Sequence, residues 1–215
     1  MSRLAGDRAP GVICVTDRRA AGGRPIADLV RASVAAGADM VQIREKDLAG
    51  GPLLLMVKEA VAIAREAGAR CRIIVNDRLD VALAAKASGA HLPAEGLPVG
   101  EARRKVGPRF LLGRSVHSLA EARQAEKEKA DYLIFGPIFA TPSKAGLGAP
   151  HGPEGLRKLL GAVRVPIYAI GGINLTTIEA LRGIPIAGIA AIGAIASAED
   201  PGRAIRELRA ALAGE

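Results

Sequence analysis

Eight short aliphatic runs alternate with segments of helical spacing, and that alternation constrains the fold more than any other feature of the chain. The runs fall at residues 12–16, 40–44, 71–75, 90–92, 110–113, 132–135, 166–170 and 188–192. Apolar residues recur at helical spacing in 26–36, 53–67, 79–87, 99–106, 119–129, 154–162, 175–182 and 201–212. The last helix has Asp200 as its cap and Pro201 in its first turn. Strict strand–helix alternation implies a parallel sheet, and eight units imply a closed (β/α)8 TIM barrel of the α/β class. A doubly wound open sheet is the alternative. The weakest unit is the helix-poor stretch 91–98. A length of 215 residues suits one barrel domain over 1–215, with 1–10 read as a loose leader.

Composition narrows the function. Hydrophobic residues make up 49% of the chain and aromatics 2%, so the core is aliphatic and there is no stacking platform for single-stranded nucleic acid. The net charge of +8 is spread along the chain without a basic arm, which argues for small anionic substrates rather than nucleic acid. No run reaches membrane-spanning length. Cys14 and Cys71 both lie in apolar runs without a CxxC pairing. Two reduced core thiols suit a cytoplasmic protein and disfavour structural zinc. The sequence leaves the oligomeric state open, a homo-oligomer included.

In a barrel of this kind the chemistry sits in the loops after the strands' C-terminal ends. Polar groups collect there. Gln42, Arg44 and Lys46 are spaced by two, so on a strand they share one face and form a cationic cup for phosphate or pyrophosphate. Asn76 and Asp77 end the third strand, where they either contribute to a Mg²⁺ site or cap the next helix. The loop after the sixth strand is long and rich in Gly and Pro. It carries Thr141, Ser143 and Lys144, which either bind an anion or form a solvated loop. Gly171-Gly172 and Gly193-Ala194 follow the seventh and eighth strands, the usual place for a backbone phosphate cradle. His117 leaves the fifth strand and is suited to proton transfer, though a lone histidine is also a common packing residue. His91 reads as strand-buried and His151 as a loop residue.

These residues, taken in order, resemble the thiamin phosphate synthase superfamily over nearly the whole chain. The matching runs are Val15-Thr16-Asp17, Val41-Gln42-Ile43-Arg44-Glu45-Lys46, Asn76-Asp77-Arg78, Gly136-Pro137-Ile138-Phe139-Ala140-Thr141-Pro142-Ser143-Lys144 and Ala169-Ile170-Gly171-Gly172-Ile173. The resemblance implies a (β/α)8 barrel acting on thiazole phosphate in vitamin B1 synthesis. It also implies one of two activities. The synthase joins a pyrimidine pyrophosphate to thiazole phosphate with Mg²⁺. The TenI-like thiazole tautomerases aromatise a thiazole phosphate carboxylate by a proton shift and need no metal.

Departures from the synthase pattern point to the tautomerase. The synthase run His-x-Gly-Gln-x-Asp, whose Asp is a metal ligand, is here His91-Leu92-Pro93-Ala94-Glu95-Gly96. The Asp position is thus Gly96, with Glu95 beside it, and Asp77 is the remaining metal-ligand candidate if the protein is a synthase. On the tautomerase reading His117 moves the proton, Arg44, Lys46 and Lys144 face the substrate carboxylate, and Gly171, Gly172, Gly193, Thr141 and Ser143 hold the phosphate. The other readings are the Mg²⁺-dependent synthase and a non-catalytic, regulatory thiazole-phosphate-binding barrel.

Overall fold

The computed structural model describes residues 11–141 and 149–215. The expected leader, 1–10, lies outside them. Eight parallel strands close on themselves: β1 Gly11–Val15, β2 Met40–Ile43, β3 Arg72–Asn76, β4 Gly89–Leu92, β5 Leu111–Val116, β6 Tyr132–Phe135, β7 Ile167–Ile170 and β8 Gly188–Ala191. Neighbours in sequence are neighbours in the sheet, and Gly11 of β1 registers with Gly188 of β8 to complete the ring. Closure rules out the open doubly wound sheet. The outer ring is α1 Ile26–Ala35, α2 Gly50–Glu66, α3 Leu79–Ala84, α4 Val99–Lys105, α5 Leu119–Lys127, α6 Gly152–Leu160, α7 Gly193–Ala196 and α8 Pro201–Ala213.

The strands are unbroken apolar runs because both of their faces are covered. Alternate residues serve two cores. Ile13, Val15, Met40, Ile74, Tyr132, Ile134 and Tyr168 fill the barrel interior. Val12, Cys14, Val41, Ile43, Ile73 and Val75 pack outward against the helices. Burial raises the Cys14 thiol pKa to about 11 and the Cys71 thiol to about 12, which keeps both protonated and inert.

Helix ends follow local chemistry. The Asp200 carboxylate accepts the Arg203 N–H at 2.9 Å, Pro201 occupies the first turn of α8, and Gly214 closes it in the left-handed region at φ 87°. Ser118 Oγ accepts the Glu121 N–H at 3.2 Å while Glu121 Oε2 accepts the His117 N–H at 2.7 Å, a reciprocal cap that starts α5.

One device occurs twice. Asp39, just before β2, accepts the Val12 N–H at 2.9 Å and Arg209 Nη2 at 2.8 Å. Asp131, just before β6, accepts the Leu112 N–H at 2.8 Å and Arg103 Nη2 at 2.6 Å. Each ties the start of one strand to its neighbour and to the helix behind, half a barrel apart. A cleft of about 440 Å³ at this end is lined by Asp39, Arg70, Cys71 and Arg72, away from the C-terminal loops.

Several boundaries differ from expectation. β2 stops at Ile43, and β5 runs on to Val116. The helix expected at 175–182 is a 3₁₀ turn, Ile178–Leu181. There Asn174 Oδ1 accepts the N–H groups of Thr176 and Thr177 at 2.8 and 3.1 Å, which offers the backbone a competing turn. Gly193 and Ala194 are not loop residues but open α7.

Candidate active site

Among the described residues, Gln42, Asn76 and His117, expected at the barrel mouth, lie at the C-terminal ends of the strands. Gln42 alternates with Met40 and shares its inward face. It is 3% exposed, and its Nε2 finds no acceptor among the described residues. A buried amide donor left without an acceptor costs about 1–3 kcal/mol, so this group is poised for an acceptor on a ligand. Asn76 ends β3 and registers with His91 of β4. His91 Nε2 stands 2.8 Å from Ser115 Oγ. Burial, and secondarily the charge of Arg114, lowers the His91 pKa to about 3, so the ring is neutral.

The loops after β1 and β2 are locked to each other. Thr16 Oγ1 donates to Glu45 Oε1 at 2.6 Å and accepts the Arg44 N–H at 3.0 Å. Glu45 Oε2 accepts the Arg18 N–H at 3.1 Å and Arg18 Nε at 3.3 Å. Both Thr16 and Glu45 are buried. This corrects the strand-face cup. Because β2 ends at Ile43, Arg44 and Lys46 are not on Gln42's strand face. Arg44 lies 3.8 Å from Asp17 Oδ2, and exposed Lys46 lines a cleft of about 390 Å³ with Glu45, Asn76, Asp77, Arg78, Glu95 and Gly96.

Asp77 does not cap α3, which begins after Arg78 without a side-chain cap. Its backbone is left-handed at φ 64°, a conformation that Asp tolerates better than most residues. Its N–H donates to His91 O at 2.8 Å. A Cβ built at Gly96 would stand 3.1 Å from Asp77 Oδ1, so the β4–α4 turn passes directly over this carboxylate. Among the described residues no three His, Cys, Asp or Glu side chains gather to hold a metal ion. The donor set therefore does not form a cation cage of its own. It fits Mg²⁺ shared with substrate phosphates, an ion that commonly takes only one or two carboxylates from the protein.

The loops after β6 and β7 are joined by backbone. Ile138 N–H donates to Ile170 O at 2.9 Å and Phe139 N–H to Gly171 O at 3.0 Å. Gly171 and Gly172 have φ of 100° and 65°, and a Cβ would come 2.7 Å from Pro137 Cα in the first case and 2.6 Å from Ala140 O in the second. Only glycine fits both positions, so close loop packing explains this pair as well as a phosphate cradle does. Thr141 is at the edge of the described residues; Ser143 and Lys144 lie outside them. His117 Nδ1 is 2.5 Å from Gly136 O. A carbonyl only accepts, so Nδ1 carries the proton in this contact.

Thr16, Glu45, Arg114 and Ser115 stand in polar runs at strand ends in the sequence, which gives none of them a role of its own. Ser115 reads as a loop residue with the fifth strand expected to end at 113. Extending it to Val116 puts Ser115 on the same alternation as inward-facing Leu111.

Comparison with known proteins gives the geometry a lineage. Residues 12–195 match the family model described as thiamine monophosphate synthase. The thiamine-phosphate synthase of Moorella thermoacetica is 45% identical over 188 residues, 87% of this chain and 89% of that protein. The thiamine-phosphate synthase of Methanoculleus marisnigri is 45% identical over 195 residues, 91% and 92% of the two chains. Among solved structures, thiamine phosphate pyrophosphorylase from Pyrococcus furiosus superposes with a TM-score of 0.84 at 37% identity, covering 94% of this chain and 95% of that one. These relatives overturn the expectation of a thiazole tautomerase and of an isomerase. The departures that motivated it, Ala94 and Gly96 among them, are confined to a few short stretches, whereas the kinship with synthases spans about nine-tenths of the chain. By that match, the chain belongs to the thiamine monophosphate synthase family.

Proposed function

We propose that the protein is a thiamine-phosphate synthase, a transferase that joins a pyrimidine pyrophosphate to a thiazole phosphate. The observation that carries this reading is the 45% identity to a thiamine-phosphate synthase over nearly the full length of both chains. In the transfer, the C–O bond between the pyrimidine methylene and pyrophosphate breaks. The thiazole ring nitrogen supplies the electron pair for the new N–C bond, and pyrophosphate leaves with the electrons of the broken bond.

The chain's residues divide this task. Gln42, buried, and Ser115, half-buried, project from strands at the mouth and offer polar groups that orient the substrate. Arg44 and Lys46 face the pyrophosphate with positive charge, and Lys144 belongs with them by its place in the matching motif. Glu45 and Thr16 hold the Arg44 backbone, so that Arg44's position is set before substrate arrives. Asn76 and Asp77 flank the cleft where Mg²⁺ would be held, and there the ion would neutralise charge on the departing pyrophosphate. Gly171, Gly172, Gly193 and Ala194, with Thr141 and Ser143, serve the thiazole phosphate, since the first amides of α7 have no partner within the helix. His117, held by its Nδ1 at the Gly136 carbonyl, serves as a polar contact at the rim. The reaction class places the protein among enzymes with small phosphorylated substrates. No described helix is long and apolar enough to cross a membrane. The direct test is pyrophosphate release on mixing both substrates with Mg²⁺; release that depends on the thiazole phosphate supports transfer, and its absence rejects it.

A further inference from the structure

The turn between β4 and α4 decides how many carboxylates the cleft can offer a cation. Pro93 O accepts the Gly96 N–H at 2.8 Å, which closes a turn over Pro93-Ala94-Glu95-Gly96. Arg114 braces it: Nη2 donates to Ala94 O at 2.6 Å and Nη1 to Leu97 O at 2.8 Å. A Cβ at Gly96 would lie 3.1 Å from Asp77 Oδ1 and 2.9 Å from Pro93 Cδ. The first distance means that a side chain at 96 would face the Asp77 carboxylate. The second means that the Pro93 ring already occupies the room it would need. Gly96 is not among the glycines with positive φ, so the obstacle is crowding by the Pro93 ring and, at 3.2 Å, by the Pro93 carbonyl oxygen, and not the conformation of Gly96 itself. Pro93 and Gly96 therefore act as a pair, one filling the space that the other leaves.

Glu95, on the same turn, is exposed to solvent. Glu45, which also lines the cleft, already accepts from Thr16 and Arg18, and that leaves Asp77 as the carboxylate fixed beneath the turn. A single carboxylate binds Mg²⁺ weakly, because the ion gives up its water reluctantly and depends on substrate phosphates to complete its shell.

We propose, resting on the synthase reading above, that this chain takes up its divalent cation only together with the pyrophosphate group. On this account Asp77 meets an ion already carried by pyrophosphate oxygens, and the Pro93–Gly96 pair keeps the free protein from holding the ion alone. The cation then departs with the pyrophosphate product rather than staying on the enzyme between turnovers.

The test is retention of Mn²⁺, used in place of Mg²⁺, during ultrafiltration of the full-length protein with and without inorganic pyrophosphate. The unmodified protein should retain Mn²⁺ only when pyrophosphate is present, and Asp77→Asn should weaken that retention by about tenfold or more. The double variant Pro93→Gly with Gly96→Asp should bind Mn²⁺ without pyrophosphate, at least about tenfold more tightly than the unmodified protein. Should that variant not fold, the unmodified protein decides alone. Saturable Mn²⁺ binding by it without pyrophosphate, abolished by Glu95→Gln, would overturn the proposal and leave the synthase reading standing. No retention with or without pyrophosphate would also overturn the proposal, and formation of thiamine phosphate from the two substrates by the same protein shows separately whether the synthase reading stands.

Discussion

His91 Nε2 and Ser115 Oγ stand 2.8 Å apart at the barrel mouth, and the histidine ring is buried and neutral. That relationship makes stability depend on pH. The folded pKa is lowered from 6.5 to about 3 by burial, so the unfolded chain binds a proton that the folded chain refuses. The ring's contribution is complete above pH 6.5 and is lost as pH falls through the window toward 3. The melting temperature should therefore decline across that window. His91→Gln should flatten the decline while costing about 1–3 kcal/mol at neutral pH. Parallel pH profiles for the two proteins would show that His91 is not the group responsible.

Asp39 and Asp131 perform the same task half a barrel apart. Each accepts a strand N–H and an arginine from the helix behind. Replacing either with Ala leaves a strand amide without its acceptor and a guanidinium with only its backbone carbonyl partners, and each variant should lose about 1–3 kcal/mol in denaturant unfolding. The two sites share no partner, so the double variant should equal the sum within about 0.5 kcal/mol. A large coupling energy would mean that the barrel's two halves are strained together through these ties.

Glu45 is a positioning residue. Its carboxylate fixes Thr16 and the Arg18 backbone, and Thr16 in turn fixes the Arg44 N–H. Glu45→Gln retains the volume but weakens these charge-assisted bonds. We expect KM for the pyrimidine pyrophosphate to rise several-fold with a smaller change in kcat, as for an interaction that serves binding. An equal fall in kcat and kcat/KM would place Glu45 in the chemical step instead.

The barrel was legible because its signal is periodic: aliphatic runs buried on both faces repeat eight times, and few other folds tolerate that pattern. Strand ends were less legible, because Arg44 and Ser115 carry no local mark of where pairing stops. That uncertainty placed Arg44 and Lys46 on a strand they do not join, and it hid Ser115 on one it does. Gly171-Gly172 was visible, but not its packing against Pro137 and Ala140, which depends on tertiary contact. The activity was misread for a different reason. Gly96 was weighed as a lost metal ligand, whereas its meaning depends on Pro93 and Asp77, which only the folded turn brings together.

The central claim is pyrimidine transfer, and product identity tests it most directly. Purified protein is incubated with hydroxymethylpyrimidine pyrophosphate, thiazole phosphate and Mg²⁺, and the products are resolved by mass spectrometry. The account predicts thiamine phosphate and pyrophosphate in equal amounts, with turnover lost on chelation of Mg²⁺ and reduced by about 10²-fold or more in Asp77→Asn. Thiamine phosphate formation that is unaffected by chelation, or no thiamine phosphate at all from folded protein, would contradict it.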